Sequence, residues 1–221
     1  NIFMGLVPYK DFNMIIPPFY PFIMSLGFHI FGSNIIVMYF ENSLILLCMY
    51  FLLDKMIGKN SLICILLLFT SSNFLFPSYN LFLLFLYVLL LYLERNNGND
   101  YFIGLIVGIA VLTKHSVGIF FLLPCIIYYI SDIKKICKRI IGFMLPITIF
   151  LLYLLFSNTY MQFIDLCILG LFDFAKENSI NFTFTHIISI MLLLFNITFI
   201  IKNHKEIRNY YSLCFLTVLI P

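Results

Sequence analysis

Apolar runs separated by short polar connectors occupy residues at about 34 to 53, 61 to 76, 79 to 93, 101 to 112, 116 to 131, 140 to 157, 184 to 201 and 209 onward. Read as helices, they are near or below the roughly 20 residues that a full crossing of a bilayer needs. The pattern predicts an all-α, polytopic transmembrane protein in which some helices are shorter than a full crossing. Ahead of the first run, "IIPPFYPFIMSLGFHIFG" (residues 15 to 32) is apolar but short and crowded with Pro. It predicts a helix over 18 to 31 lying along the outer interface, started by Pro18 with its preset φ and stopped near Gly32. No repeat of fixed period is visible.

Composition strengthens this picture. Hydrophobic residues make up 62% of the chain, charged residues 10%, and the mean hydropathy is +1.05, so lipid is the expected solvent for most of the surface. A single transmembrane domain is expected over 1 to 221. The chain reads as a fragment lacking a first helix and a C-terminal part, since Asn1 is not an initiator Met and Pro221 falls inside an apolar run. No signal-peptide pattern opens it. Cys48, Cys64, Cys125, Cys137, Cys167 and Cys214 form no CxxC and no Cys/His cluster, and most sit in apolar runs as small hydrophobes. No metal site is indicated, although a divalent cofactor is left open. A Gly-rich phosphate loop and a basic nucleic-acid patch are both absent, so nucleic acid is not an expected partner.

The basic residues orient the helices. If each run crosses or re-enters the membrane and residues 1 to 33 lie outside, the inner connectors hold Lys55, Lys59, Arg95, Lys134, Lys135, Lys138, Arg139, Lys202, Lys205 and Arg208. The outer side holds Lys10, Lys114 and Lys176, a ten-to-three asymmetry of the kind the positive-inside rule describes. Reading 101 to 130 as one long helix would reverse everything after it and spoil the asymmetry. Two short helices broken at "TKHS" are therefore expected, with Lys114 below the outer surface. A backbone break at that depth must be buried in protein or line a wet cavity.

The outer face then gathers Asp11 with Lys10, Glu41 in the outer part of its helix, the "SSNFLFPSYN" connector carrying Tyr79, Lys114 with His115, and a long connector at 158 to 183. Each has a plainer reading. Asp11 would be a solvated turn residue, Lys114 a snorkelling cation, His115 a polar helix end, and Glu41 one half of a structural pair. Asp165, Asp173, Lys176 and Glu177 would be solvated loop charges.

Two stretches resemble a known family. "GLVPYKDF....PPFYPFI....FHIFGSN" (residues 5 to 34) is similar to the first external loop of the GT-C superfamily of membrane glycosyltransferases, especially bacterial relatives of the dolichyl-phosphate-mannose-protein mannosyltransferases. "GLIVGIAVLTKHSVGIFFLLP" (residues 104 to 124) resembles their later Gly-rich helix ending in Lys. The resemblance implies a GT-C-like fold on the cell membrane. It further implies transfer of a sugar from a polyprenyl-phosphate donor to a glycan, lipid or protein acceptor of the cell envelope on the noncytoplasmic side, with inversion. Asp11 matches the family's catalytic acid, Lys114 would hold the donor phosphate, and Tyr9, Lys10, Glu41, Tyr79 and His115 are site-lining candidates. The chain departs from the family pattern where Glu41 stands in "MYFENSL", near a position that commonly carries Arg. It departs again where Lys10 and Phe12 flank Asp11 in place of a second acid. The rival from another class is a polytopic transporter or polysaccharide flippase using Glu41 and Lys114 at membrane depth. A noncatalytic envelope assembly protein is a third reading.

Overall fold

The computed structural model describes residues 1–58 and 78–170, together with the single positions 191, 194 and 198. Seven α-helices and no strand form among the described residues: a 3-10 turn at Ile2–Met4 precedes α1 (Phe19–Phe31), α2 (Ile35–Ile57), α3 (Tyr79–Arg95), α4 (Asp100–Thr113), α5 (His115–Ile127), α6 (Ile133–Phe156) and α7 (Tyr160–Phe163). α7 passes directly into a π-helical stretch, Ile164–Leu169. The expected helices over 61 to 76, 184 to 201 and 209 onward lie outside the described residues.

Small polar residues set the starts of the long helices. Asn34, Ser78, Asn99 and Asp132 each accept a hydrogen bond from a first-turn backbone N–H, at 3.0, 3.4, 2.9 and 3.3 Å. A cap of this kind is worth about 1 kcal/mol. Asp132 explains why α6 begins seven residues before the apolar run at 140 (140 minus 133): the helix takes in the basic "KKICKR" stretch expected in a connector. Part of the connector expected at 158 to 183 is likewise helical, with Asp165 exposed on the π turn.

α4 is the central helix and packs against α1, α3, α5 and α6. Its tightest partner is α6, because glycines remove the side chains that would separate them. A methyl at Gly104 would overlap the Arg139 carbonyl, and one at Gly142 would overlap the Tyr101 carbonyl. At Gly108 it would meet Pro146 Cγ at 2.5 Å and the Phe143 carbonyl at 2.7 Å. Gly104 and Gly108 form the small-xxx-small spacing that lets helix backbones touch where no water drives them together. The successive contacts of 104 with 139, 108 with 143 and 146, and 112 with 150 show that α4 and α6 run in the same direction. α5 turns back along α4 after the break at Lys114, whose backbone is extended at φ −156° and ψ 103°. Gly118 allows this return, since it lies directly against the backbone of Ala110 and Val111.

α1 begins just after Pro18 and ends at Gly32 (φ 85°), matching the expected bounds. It is more than a surface strut. Tyr20, Met24 and Gly27 form a buried i, i+4, i+7 stripe, and Tyr20 packs on Phe82 of α3 at 5.8 Å.

Two helices, Ile35–Ile57 with 23 residues and Ile133–Phe156 with 24, are long and apolar enough to cross a membrane by length and composition. Only 22% of the most apolar stretch of each is buried. Ile36, Phe40, Leu44, Leu47 and Phe51 of α2, and Ile141, Leu145, Ile149 and Leu155 of α6, leave large apolar surfaces uncovered.

Candidate functional site

Asp11 sits at the tip of a tight loop that it helps to close. Its Oδ2 accepts the Val7 N–H at 2.6 Å, and its own N–H donates to the Val7 carbonyl at 2.9 Å. The opposite side of the loop is held by Tyr9 N–H donating to the Phe12 carbonyl at 2.9 Å. Tyr9 adopts φ 69°, a left-handed conformation that costs a bulky residue energy. What holds it there is burial: the ring is 3% exposed, meets Phe163 edge-on at 5.4 Å, and its hydroxyl donates to the Ile16 carbonyl at 2.9 Å. The Cys167 thiol donates to Tyr9 Oη at 3.5 Å. Burial, with the Cys167 contact behind it, pushes the Tyr9 phenol well above its ordinary pKa. Tyr9 is thus the anchor of the loop, while Lys10 and Asp11 are exposed on it.

Asp11 lies within electrostatic reach of the Tyr153 phenol near the C-terminal end of α6. Tyr153 stands edge-on to Phe22 of α1 at 5.5 Å and stacks on Phe150 at 6.2 Å. These aromatics wall one end of an apolar groove of about 330 Å³ between α1, α4 and α6. Phe19 and Phe22, then Leu105, Ile109 and Leu112, then Leu145, Ile149 and Tyr153 line it. Their i, i+4, i+7 and i, i+4, i+8 spacings are single helix faces, so the groove runs about 10–12 Å along the two parallel helices. Phe12 faces elsewhere, into a second cavity of about 300 Å³ with Phe3, Tyr20 and Met24.

Lys114 lies two residues beyond Leu112, at the same end of the groove. Its ammonium rests over the Tyr79 ring at 5.2 Å from the centroid, a cation–π contact joining the helix break to the start of α3. The adjoining His115 has both ring nitrogens buried without a hydrogen-bond partner among the described residues. Tyr79 and Lys114 therefore meet at the helix break, with His115 next in the chain. Among the described residues neither Asp11 nor Lys114 forms an ion pair, so these two are brought to one end of the bundle without touching.

Glu41 stands apart from both. Its carboxylate lies against Gly27 of α1, where any side chain would collide with it, and among the described residues the buried Oε2 has no hydrogen-bond partner. The same holds for the buried Tyr20 hydroxyl. Burial first, and then the Glu41 charge, push its pKa up to about 12.

The opposite end of the bundle carries a cluster that the loop-and-charge pattern did not reveal. Arg139 grips Glu94 through Nη1–Oε1 at 2.7 Å and Nη2–Oε2 at 3.1 Å, and its Nε donates to Asp100 Oδ1 at 2.9 Å. The Tyr129 hydroxyl donates to Glu94 Oε2 at 3.0 Å, and its ring lies 4.1 Å from the guanidinium carbon. Burial, followed by the Glu94 charge, raises the Tyr129 pKa to about 12. The Arg95 guanidinium, next in sequence to Glu94, donates to the Met56 carbonyl at the end of α2. Arg139 belongs to the buried stripe 139, 142, 146, 150, 154 of α6, a helical period that could have marked it as inward-facing.

Among the described residues no group of three or more His, Cys, Asp or Glu converges as a metal site. No known family, curated protein or solved structure matches the chain.

Proposed function

We propose that the chain is a multi-pass membrane glycosyltransferase that moves a sugar from a polyprenyl-phosphate donor to a cell-envelope acceptor on the noncytoplasmic side. The uncovered apolar faces of α2 and α6 support a lipid surround, because such surfaces are rarely left to water. The ten-to-three charge asymmetry supports an outward-facing Asp11.

The observation that carries the reading is the apolar groove that ends at Tyr153, within electrostatic reach of Asp11, and at Leu112, two residues before Lys114. A prenyl chain lying in it would bring its phosphate to that end. There Asp11 takes the proton of the acceptor hydroxyl as its oxygen bonds to the anomeric carbon. The bond from that carbon to the phosphate oxygen breaks, the phosphate leaves with the electron pair, and the anomeric centre inverts. Lys114 stabilises the charge gathered on the departing phosphate. Asp11 uses Oδ2 to hold its own loop, leaving Oδ1 as the free basic oxygen. Glu41, in a region where the family commonly carries Arg, makes Lys114 the principal counter-charge.

A transport role draws on the unpartnered Glu41 Oε2 within an apolar helix. One experiment separates the two. Purified protein in lipid nanodiscs is given polyprenyl-phosphate hexoses and pentoses labelled at the anomeric carbon, with extracted envelope lipid and glycan as acceptors. Transfer of the label with inverted configuration is expected. Transfer with retained configuration contradicts the single-displacement step, and intact lipid-linked sugar crossing a bilayer in vesicles, with no transfer, selects the transporter.

A further inference from the structure

At the helix break, two adjacent side chains lack the partner their chemistry requires. A neutral imidazole offers one N–H donor and one acceptor, yet neither ring nitrogen of His115 has a hydrogen-bond partner among the described residues. The Lys114 ammonium beside it has a π face, Tyr79, but no carboxylate among the described residues. A cation would be repelled by Lys114, so a ligand suited to both side chains is an anion able to accept from each. α5 begins at His115, and the positive end of its 13-residue dipole favours the same sign of ligand. The apolar groove ends at Leu112, two residues before Lys114, so an anion carried on a hydrocarbon chain suits the break better than a free one.

We infer that Lys114 and His115 together form the seat of a lipid phosphate, with Lys114 as counter-charge and the His115 imidazole N–H donating to a phosphate oxygen. This rests on the polyprenyl-phosphate reading and adds a second phosphate ligand to it. His115 keeps its hydrogen bond as the sugar departs and the phosphate gains charge. Tyr79 holds the ammonium at the mouth of the seat.

Histidine-labelled protein in nanodiscs is titrated with decaprenyl phosphate, with uncharged decaprenol, and with inorganic phosphate, while the His115 resonances are followed by NMR. The Lys114–His115 step is the one Lys-His sequence in the chain, so selective double labelling identifies the His115 amide without any variant. The His115 signals are expected to move with decaprenyl phosphate and stay fixed with decaprenol. They should move with inorganic phosphate only at far higher concentration. His115→Leu should weaken decaprenyl phosphate binding about tenfold, and His115→Gln, which keeps one donor, by less. If the His115 signals stay fixed while Lys114→Ala weakens binding, the His115 role is overturned and the lipid-phosphate reading stands. If parent protein binds decaprenyl phosphate no better than decaprenol, the reading itself fails and the seat with it. Equal response to inorganic phosphate overturns the lipid source.

Discussion

Arg139 holds Glu94 in a two-pronged ion pair, at 2.7 and 3.1 Å, with the side chains 5% and 2% exposed. One helix turn away, Gly142 brings α6 against α4, so the pair lies beside a close backbone contact between the two helices. Arg139 also reaches Asp100 and therefore ties α3, α4 and α6 together. Removing one member strands the others as buried charges. Arg139→Leu is expected to cost about 3–5 kcal/mol. The combined Arg139→Met, Glu94→Leu, Asp100→Asn protein should recover most of that loss, since no charge is left unpaired. Denaturation in mild detergent, read by helical circular dichroism, measures both. Equal damage in the single and combined proteins would show that packing at 139, rather than charge pairing, sets the stability.

The glycine contacts give a second expectation. Gly104→Ala and Gly142→Ala each put a methyl into a backbone carbonyl of the facing helix and should destabilise by about 1–3 kcal/mol. Ile149→Ala, on the open side of α6 at 62% exposure, should change stability by no more than about 0.5 kcal/mol. The same unfolding measurement compares them, and a tolerant Gly104 would contradict the close α4–α6 packing.

Local signals made much of this legible in the sequence. Pro18 and Gly32 bounded α1, and "TKHS" marked the break, because Pro, Gly and a mid-run Lys act through the backbone of their own neighbourhood. The Arg139 cluster was hidden for the opposite reason. Glu94, Asp100, Tyr129 and Arg139 come from four separate stretches, and a basic residue beside three lysines reads as a solvated connector until its helix is extended back to Asp132. The charge pattern grouped Asp11 and Lys114 on one expected face. That Tyr153, within electrostatic reach of Asp11, and Leu112, two residues before Lys114, line one groove depends on the parallel course of α4 and α6, which no local pattern encodes.

Topology is tested at Ser116 and Ser131, both exposed and at opposite ends of α5. Single cysteines at these positions in a protein freed of its own six cysteines should label from opposite sides of sealed vesicles, Ser116→Cys from outside. Labelling of both from one side would rule out the arrangement in which α4 and α5 enter and return separately.

In the proposed transfer the base is Asp11. In Asp11→Asn the amide oxygen can still accept the Val7 N–H that closes the loop at 2.6 Å, while the basicity is lost. Insertion, thermal stability and decaprenyl phosphate binding should stay at parental levels. Sugar transfer from the lipid donor should fall roughly 10²-fold or more, the scale of a lost general base. The rates are compared across divalent-ion concentrations and with chelator, since loss of a metal ligand would make the defect depend on the ion. An ion-independent loss of at least that size is the predicted result. Near-parental transfer by a correctly inserted Asp11→Asn protein would contradict the account.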